Sequence, residues 1–69
     1  MRLSTRNQLT GKVAGIQHGS VMSIVKVELD GGQFVTAAIT MEAVEELGLV
    51  VGGPVVVLVK STEVMLAVE

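Results

Sequence analysis

Seventeen β-branched aliphatic side chains, fourteen Val and three Ile, run through a chain of 69 residues that eight glycines cut into short pieces. Two heavy substituents on Cβ restrict such side chains against a helical turn and suit them to a pleated surface. Glycine accepts turn geometry at little steric cost, so each one marks a place where a strand can end. This combination favours short strands over helices and points to an all-β fold.

The segments follow from that punctuation. Leu3 to Leu9 reads as extended, ending near Gly11, and Lys12 to Gln17 as a strand. His18-Gly19 reads as a tight turn. Within Ser20 to Leu29, Val25, Val27 and Leu29 alternate with Lys26, Glu28 and Asp30, the period of a strand with one wet face. Asp30-Gly31-Gly32 is a hairpin signal, and Gln33 to Ile39 returns as the next strand. One segment departs from this pattern. Met41, Val44 and Leu47 form a helical stripe, with Thr40 placed to cap it, Glu42 in the first turn and Gly48 at the end. Pro54 to Lys60 follows as a strand whose unbroken Val55 to Val59 predicts cover on both faces, by the core or by another subunit. Glu63 to Val68 closes the chain as a last strand. The expected architecture is a small five- to six-stranded OB-like β-barrel with one short helix, a single domain over residues 1–69.

Composition adds limits. Hydrophobic residues make up 49% of the chain and charged ones 17%, the reverse of a disordered segment. Chains below roughly 70–80 residues rarely stabilise themselves with one core and recruit a disulfide, a metal or a partner. There is no Cys, so oligomerisation is the expected route. The net charge is −2 and Phe34 is the sole aromatic residue, which argues against nucleic-acid binding for want of a basic stripe and a stacking platform. The opening residues hold no apolar signal-like core. The longest run without a charged or polar side chain, Leu47 to Val59, is interrupted by Gly48, Gly52, Gly53 and Pro54 and falls short of the ~20 residues of a membrane span. The expectation is a cytoplasmic protein that does not enter a membrane.

No catalytic constellation is present. His18 is the one histidine and lies in the turn, Glu45-Glu46 reads as a solvated helix face, and Gly11, Gly15 and Gly19 lack the Lys-Ser/Thr of a phosphate loop. The chain is therefore expected not to be an enzyme. Two polar clusters stand out instead: Ser4-Thr5-Arg6-Asn7 near the start and Lys60-Ser61-Thr62 between two apolar strands. Both are rich in donors and free of carboxylates, which suits a tetrahedral dianion. Phosphate near neutral pH keeps a proton that needs an acceptor, whereas sulfate, molybdate and tungstate do not. On residue types alone, the same clusters also fit a solvated edge and an ordinary turn.

Ser4-Thr5-Arg6-Asn7-Gln8-Leu9, followed by Gly11-Lys12-Val13, resembles the Ser-Ala-Arg-Asn signature of the molbindin, or Mop, family of molybdenum-binding proteins. Val44 to Leu49 and Val59 to Met65 are similar to the same family, so the resemblance runs over essentially the whole chain. Thr5 stands where the family usually has Ala, and Ala37 and Ala38 where relatives can carry Ser. The resemblance implies an OB-like barrel assembled as a homohexamer, a trimer of dimers, that holds molybdate or tungstate at subunit interfaces for storage or homeostasis. Carried over by position, it implies oxyanion binding by Ser4, Arg6, Asn7, Lys60 and Ser61. Thr40 is a further contact, through free backbone N–H groups at the helix start. The resemblance further implies a second interface site that uses backbone donors around His18, Gly19 and Ser20.

Competing readings are a structural or regulatory dimerisation module associated with a molybdate transporter or regulator, and a swinging-arm carrier domain. The carrier needs a modifiable Lys at a hairpin tip beside Met; Lys26 lies within a predicted strand and Lys60 has no Met neighbour.

Overall fold

The computed structural model describes residues 2–69. Its first strand, β1 (Asn7–His18), is twelve residues long and passes through both Gly11 and Gly15. Strand β2 (Met22–Leu29) and β3 (Phe34–Thr40) follow, then helix α1 (Met41–Leu47), strand β4 (Pro54–Val59) and a single 3-10 turn over Ser61–Glu63. The strands form one antiparallel sheet in the order β3-β2-β1-β4, curled into a half-barrel.

The curl originates in β1, whose two halves face different partners. Asn7 to Lys12 pair with Val59 to Pro54 of β4, and Gly11 to His18 pair with Leu29 to Ser23 of β2. The two ladders overlap at Gly11 and Lys12. A register shift between Val13 and Gly15 adds a bulge just past the overlap, which sharpens the bend. Gly11 is required where the three strands meet. A Cβ there would collide with the Glu28 carbonyl oxygen and lie 3.0 Å from both the Glu28 carbonyl carbon and Leu29 Cα. Here glycine serves close approach inside a strand rather than a turn. Val13 is then pinned on its other side: its N–H donates to the Gly53 carbonyl (2.9 Å) and its carbonyl accepts from Gly52 N–H (2.7 Å).

The β2–β3 hairpin turns at Asp30-Gly31-Gly32 as predicted, with Leu29 N–H donating to the Gln33 carbonyl at 2.7 Å and Gly32 N–H donating to Leu29 at 2.8 Å. Helix α1 also occupies its predicted span. Thr40 Oγ1 accepts from Ala43 N–H at 3.0 Å, and Gly48 ends the helix in the left-handed region (φ 65°, ψ 35°), a conformation that costs a side chain with a Cβ. Val44, on the inner face of α1, joins Val13, Val25 and Val27 as the buried apolar core. Ile16, Leu29, Ile39, Leu49, Val55 and Val57 pack around it, partly covered.

Three expectations change. The separate segments before and after Gly11 are one strand, and residues before Asn7 are not part of it. The sheet of the described residues has four strands, not five or six, because Glu63 to Val68 forms no ladder with its own chain. Met65, Leu66 and Val68 are instead 92%, 94% and 97% exposed. Strand β4 forms the sheet edge, and Val55, Val56, Val57 and Val59 are half-buried while Leu58 is exposed, so its own chain does not cover both faces.

Candidate functional site

The Asn7–Val59 pair at one end of the β1–β4 ladder brings the two donor clusters together. Asn7 Nδ2 donates to the Val59 carbonyl at 3.1 Å and clamps the strand ends across fifty-two residues of sequence. Just beyond that clamp the chain leaves β1 backwards through Arg6, Thr5 and Ser4 and leaves β4 forwards through Lys60, Ser61 and Thr62. These six residues line a cleft of about 250 Å³. The sequence-predicted Ser4, Arg6, Lys60 and Ser61 therefore meet, although fifty-four residues separate Arg6 from Lys60. Thr5 and Thr62 also line the cleft; both belonged to the donor clusters, and their hydroxyls were the available signal. Asn7 lies behind the lining, with its amide committed to Val59.

The cleft carries one guanidinium, one ammonium and four hydroxyls, and no carboxylate. Among the described residues the one ion pair is Lys12 with Glu28 at 3.9 Å, exposed and outside the cleft, so no acid competes for Arg6 or Lys60. A site of this kind donates to an anion at many points and offers a protonated ligand no acidic acceptor. A second depression, of about 340 Å³ around Lys12, Glu28 and Asp30, mixes acids with a base and has no such preference. Among the described residues no three His, Cys, Asp or Glu side chains stand together as metal ligands. Nor is any helix among the described residues long and apolar enough to cross a membrane.

Thr40, His18, Gly19 and Ser20 lie elsewhere. His18 ends β1 eleven residues from Asn7, roughly 36 Å along extended chain, and Thr40 pairs with Met22 near the same turn. The structure does not bring them to the Ser4–Lys60 cleft. It also commits several of the N–H groups expected to be free. Met41 N–H donates to the Val21 carbonyl (2.8 Å) and Ala43 N–H to Thr40 Oγ1, so the helix start is largely satisfied internally. Gly19 N–H donates to Met22 at 2.8 Å. One polar group in this region went unnoticed in the sequence. Ser23, which is 0% exposed, holds its Oγ 3.0 Å from His18 Nδ1. Its position in register with Val25 and Val27 on the inward face of β2 was the legible sign.

Fold and cleft together define a small all-β module with a cationic, hydroxyl-lined cleft between the ends of its β1–β4 ladder. The family model described as TOBE domain matches residues 3–66. A probable molybdenum-pterin-binding protein of Haemophilus influenzae is 44% identical over 69 residues, all of both chains. MopII from Clostridium pasteurianum superposes with a TM-score of 0.91 at 43% identity, covering 97% of this chain and 100% of that one. A molybdate-binding protein from Sporomusa ovata gives a TM-score of 0.91 at 39% identity, with 97% and 98% covered. The chain belongs to the TOBE-domain family and, within it, to the molbindin (Mop) proteins.

Proposed function

We propose that this chain is a single oxyanion-binding domain that takes up molybdate or tungstate reversibly, without covalent chemistry, for molybdenum storage and homeostasis in the cytoplasm. The observation that carries the reading is the cleft in which Arg6 and Lys60 stand without a carboxylate among four hydroxyls. Arg6 and Lys60 supply charge, Ser4 and Ser61 donate hydroxyl hydrogen bonds, and Asn7 holds the two strand ends at the spacing the ion needs. The name of the Sporomusa relative, a molybdate-binding protein, supports molybdate as the ligand, and that of the Haemophilus relative, a probable molybdenum-pterin-binding protein, supports molybdenum more broadly.

One copy of the cleft is a shallow half-cage, and sites shared between subunits of a homo-oligomer, a hexamer arranged as a trimer of dimers, would complete it. Two features support assembly. The apolar tail is almost wholly exposed in the single chain, and β4 presents an unpaired edge. A second locus at the far turn, around His18, Gly19 and Ser20, belongs to the same reading. There the side chains and Ser20 carry the donors, since Gly19 N–H is engaged within the turn.

Calorimetry of the wild type and Lys60→Ala with molybdate, alongside sulfate and phosphate, tests the proposal. Charged hydrogen bonds contribute about 1.5–3 kcal/mol, so the variant should bind about 10- to 100-fold more weakly. Native mass spectrometry should show the same oligomer in both. Unchanged affinity would remove Lys60 from the site. A wild type that binds none of the anions would favour the dimerisation module instead.

A further inference from the structure

The most deeply buried polar side chain of the described residues is Ser23, and its hydroxyl meets one partner, Nδ1 of the exposed His18. The two residues face each other across the β1–β2 ladder, at the last pair before the turn. Which atom carries the proton between them follows from what each can do otherwise. If His18 Nδ1 donated, the Ser23 hydroxyl would have to send its own proton into an apolar interior formed by Val25, Val27 and the rest of the core, with no acceptor recorded there. A buried donor left unmade costs far more than an unused hydroxyl lone pair. The hydroxyl therefore donates, and Nδ1 accepts. A neutral imidazole that accepts at one nitrogen carries its proton at the other. The ring of the exposed His18 thus presents Nε2–H on the side away from Ser23, and Nε2 has no hydrogen-bond partner among the described residues.

We propose that Ser23 is a positioning residue for the second oxyanion locus: it fixes His18 in the Nε2–H tautomer so that the β1–β2 turn offers a directed side-chain donor to a tetrahedral oxyanion. This rests on the second-locus reading above and deepens it. The turn's own Gly19 N–H is already engaged with Met22, so a side-chain donor is what the turn has left to give besides Ser20. Ser23 does not touch the ion. It acts by removing the alternative tautomer, in which Nε2 would turn a lone pair toward an anion and repel it.

The test uses the intact oligomeric protein labelled with ¹⁵N at histidine. Long-range ¹H–¹⁵N spectra without any ion should show a protonated Nε2 and an unprotonated Nδ1 in the wild type. Ser23→Ala should give a mixture of tautomers, and Ser23→Thr, which restores the hydroxyl, should return the single form. Titration with molybdate should then shift the His18 Nε2 resonance, with affinity at that locus lowered about three- to tenfold in Ser23→Ala, the scale of one neutral hydrogen bond. An Nδ1–H tautomer in the wild type, or a tautomer indifferent to Ser23→Ala, would overturn the positioning role without bearing on the Lys60 cleft. The wild-type spectrum decides this even if Ser23→Ala fails to fold. A fixed tautomer whose Nε2 ignores molybdate, while calorimetry records uptake, would overturn the donor role of His18 alone. No uptake by any variant would instead sink the oxyanion reading itself, with the ion-free tautomer result standing apart.

Discussion

Replacing Gly11 with Ala probes the point on which the curl of the sheet depends. The new Cβ would meet the Glu28 carbonyl oxygen and stand 3.0 Å from two further backbone atoms of β2. Backbone cannot rotate aside as a flexible side chain does, so β1 and β2 must separate while Gly11 remains paired to Val55 of β4 on its other edge. Overpacking of this sort costs about 1–3 kcal/mol. The loss of chain freedom in the unfolded state returns about 0.4–1 kcal/mol for Gly→Ala. The net expectation is a loss of about 1–2 kcal/mol, a melting temperature lower by roughly 5–15 °C for a domain of this size. Gly15→Ala is the matched control. It lies in the same strand, and nothing comes within 4 Å of its Cβ, so it should be neutral or slightly stabilising. Thermal unfolding followed by circular dichroism, at one fixed protein concentration because association shifts the midpoint, compares the two. Equal melting points for the two variants would refute the close approach at Gly11.

Two other substitutions separate the scaffold from the site. Thr40→Ala removes the hydroxyl that accepts from Ala43 N–H and should cost about 1 kcal/mol, a fall of about 4–8 °C in the same melting experiment; molybdate affinity at the Lys60 cleft should not change. Asn7→Ala removes the clamp on the Val59 carbonyl. It should cost about 1 kcal/mol of stability and weaken molybdate binding several-fold in calorimetry, because Arg6 and Lys60 lose their fixed spacing; full affinity in a destabilised Asn7→Ala would show the clamp to be purely structural.

Local chemistry made much of this molecule legible. The Asp30-Gly31-Gly32 hairpin and helix α1 were readable because their signals lie within a few residues: turn glycines, a hydroxyl cap and a left-handed Gly48. The two halves of the cleft were readable because each is a contiguous cluster of donors without an acid. Their meeting was not. It depends on the Asn7–Val59 register, a pairing across fifty-two residues that no local pattern encodes. Gly11 misled for a related reason, since glycine permits a turn and permits close strand contact equally well, and only the neighbours decide. The apolar Val64 to Val68 has strand-like composition, but a strand needs a partner, and the described residues of the single chain supply none. No local pattern pairs Ser23 with His18: the alternation with Val25 and Val27 marks it as inward, and only the β1–β2 register sets it opposite His18.

The division of β1 between two partners bears on the order in which the molecule forms. The β1–β2–β3 meander joins neighbours in sequence, while β4 must close a loop of some forty to fifty residues to reach Asn7 through Lys12. Long-range closure is the slow element of folding. The donor-lined cleft sits at the outermost register of that ladder, so it should form only with the last pairing and be lost first when the ladder frays. A bound anion should accordingly leave the folding rate nearly untouched and slow unfolding. In denaturant-jump kinetics molybdate would move only the unfolding limb, which would make ion occupancy a determinant of how long each molecule persists once assembled.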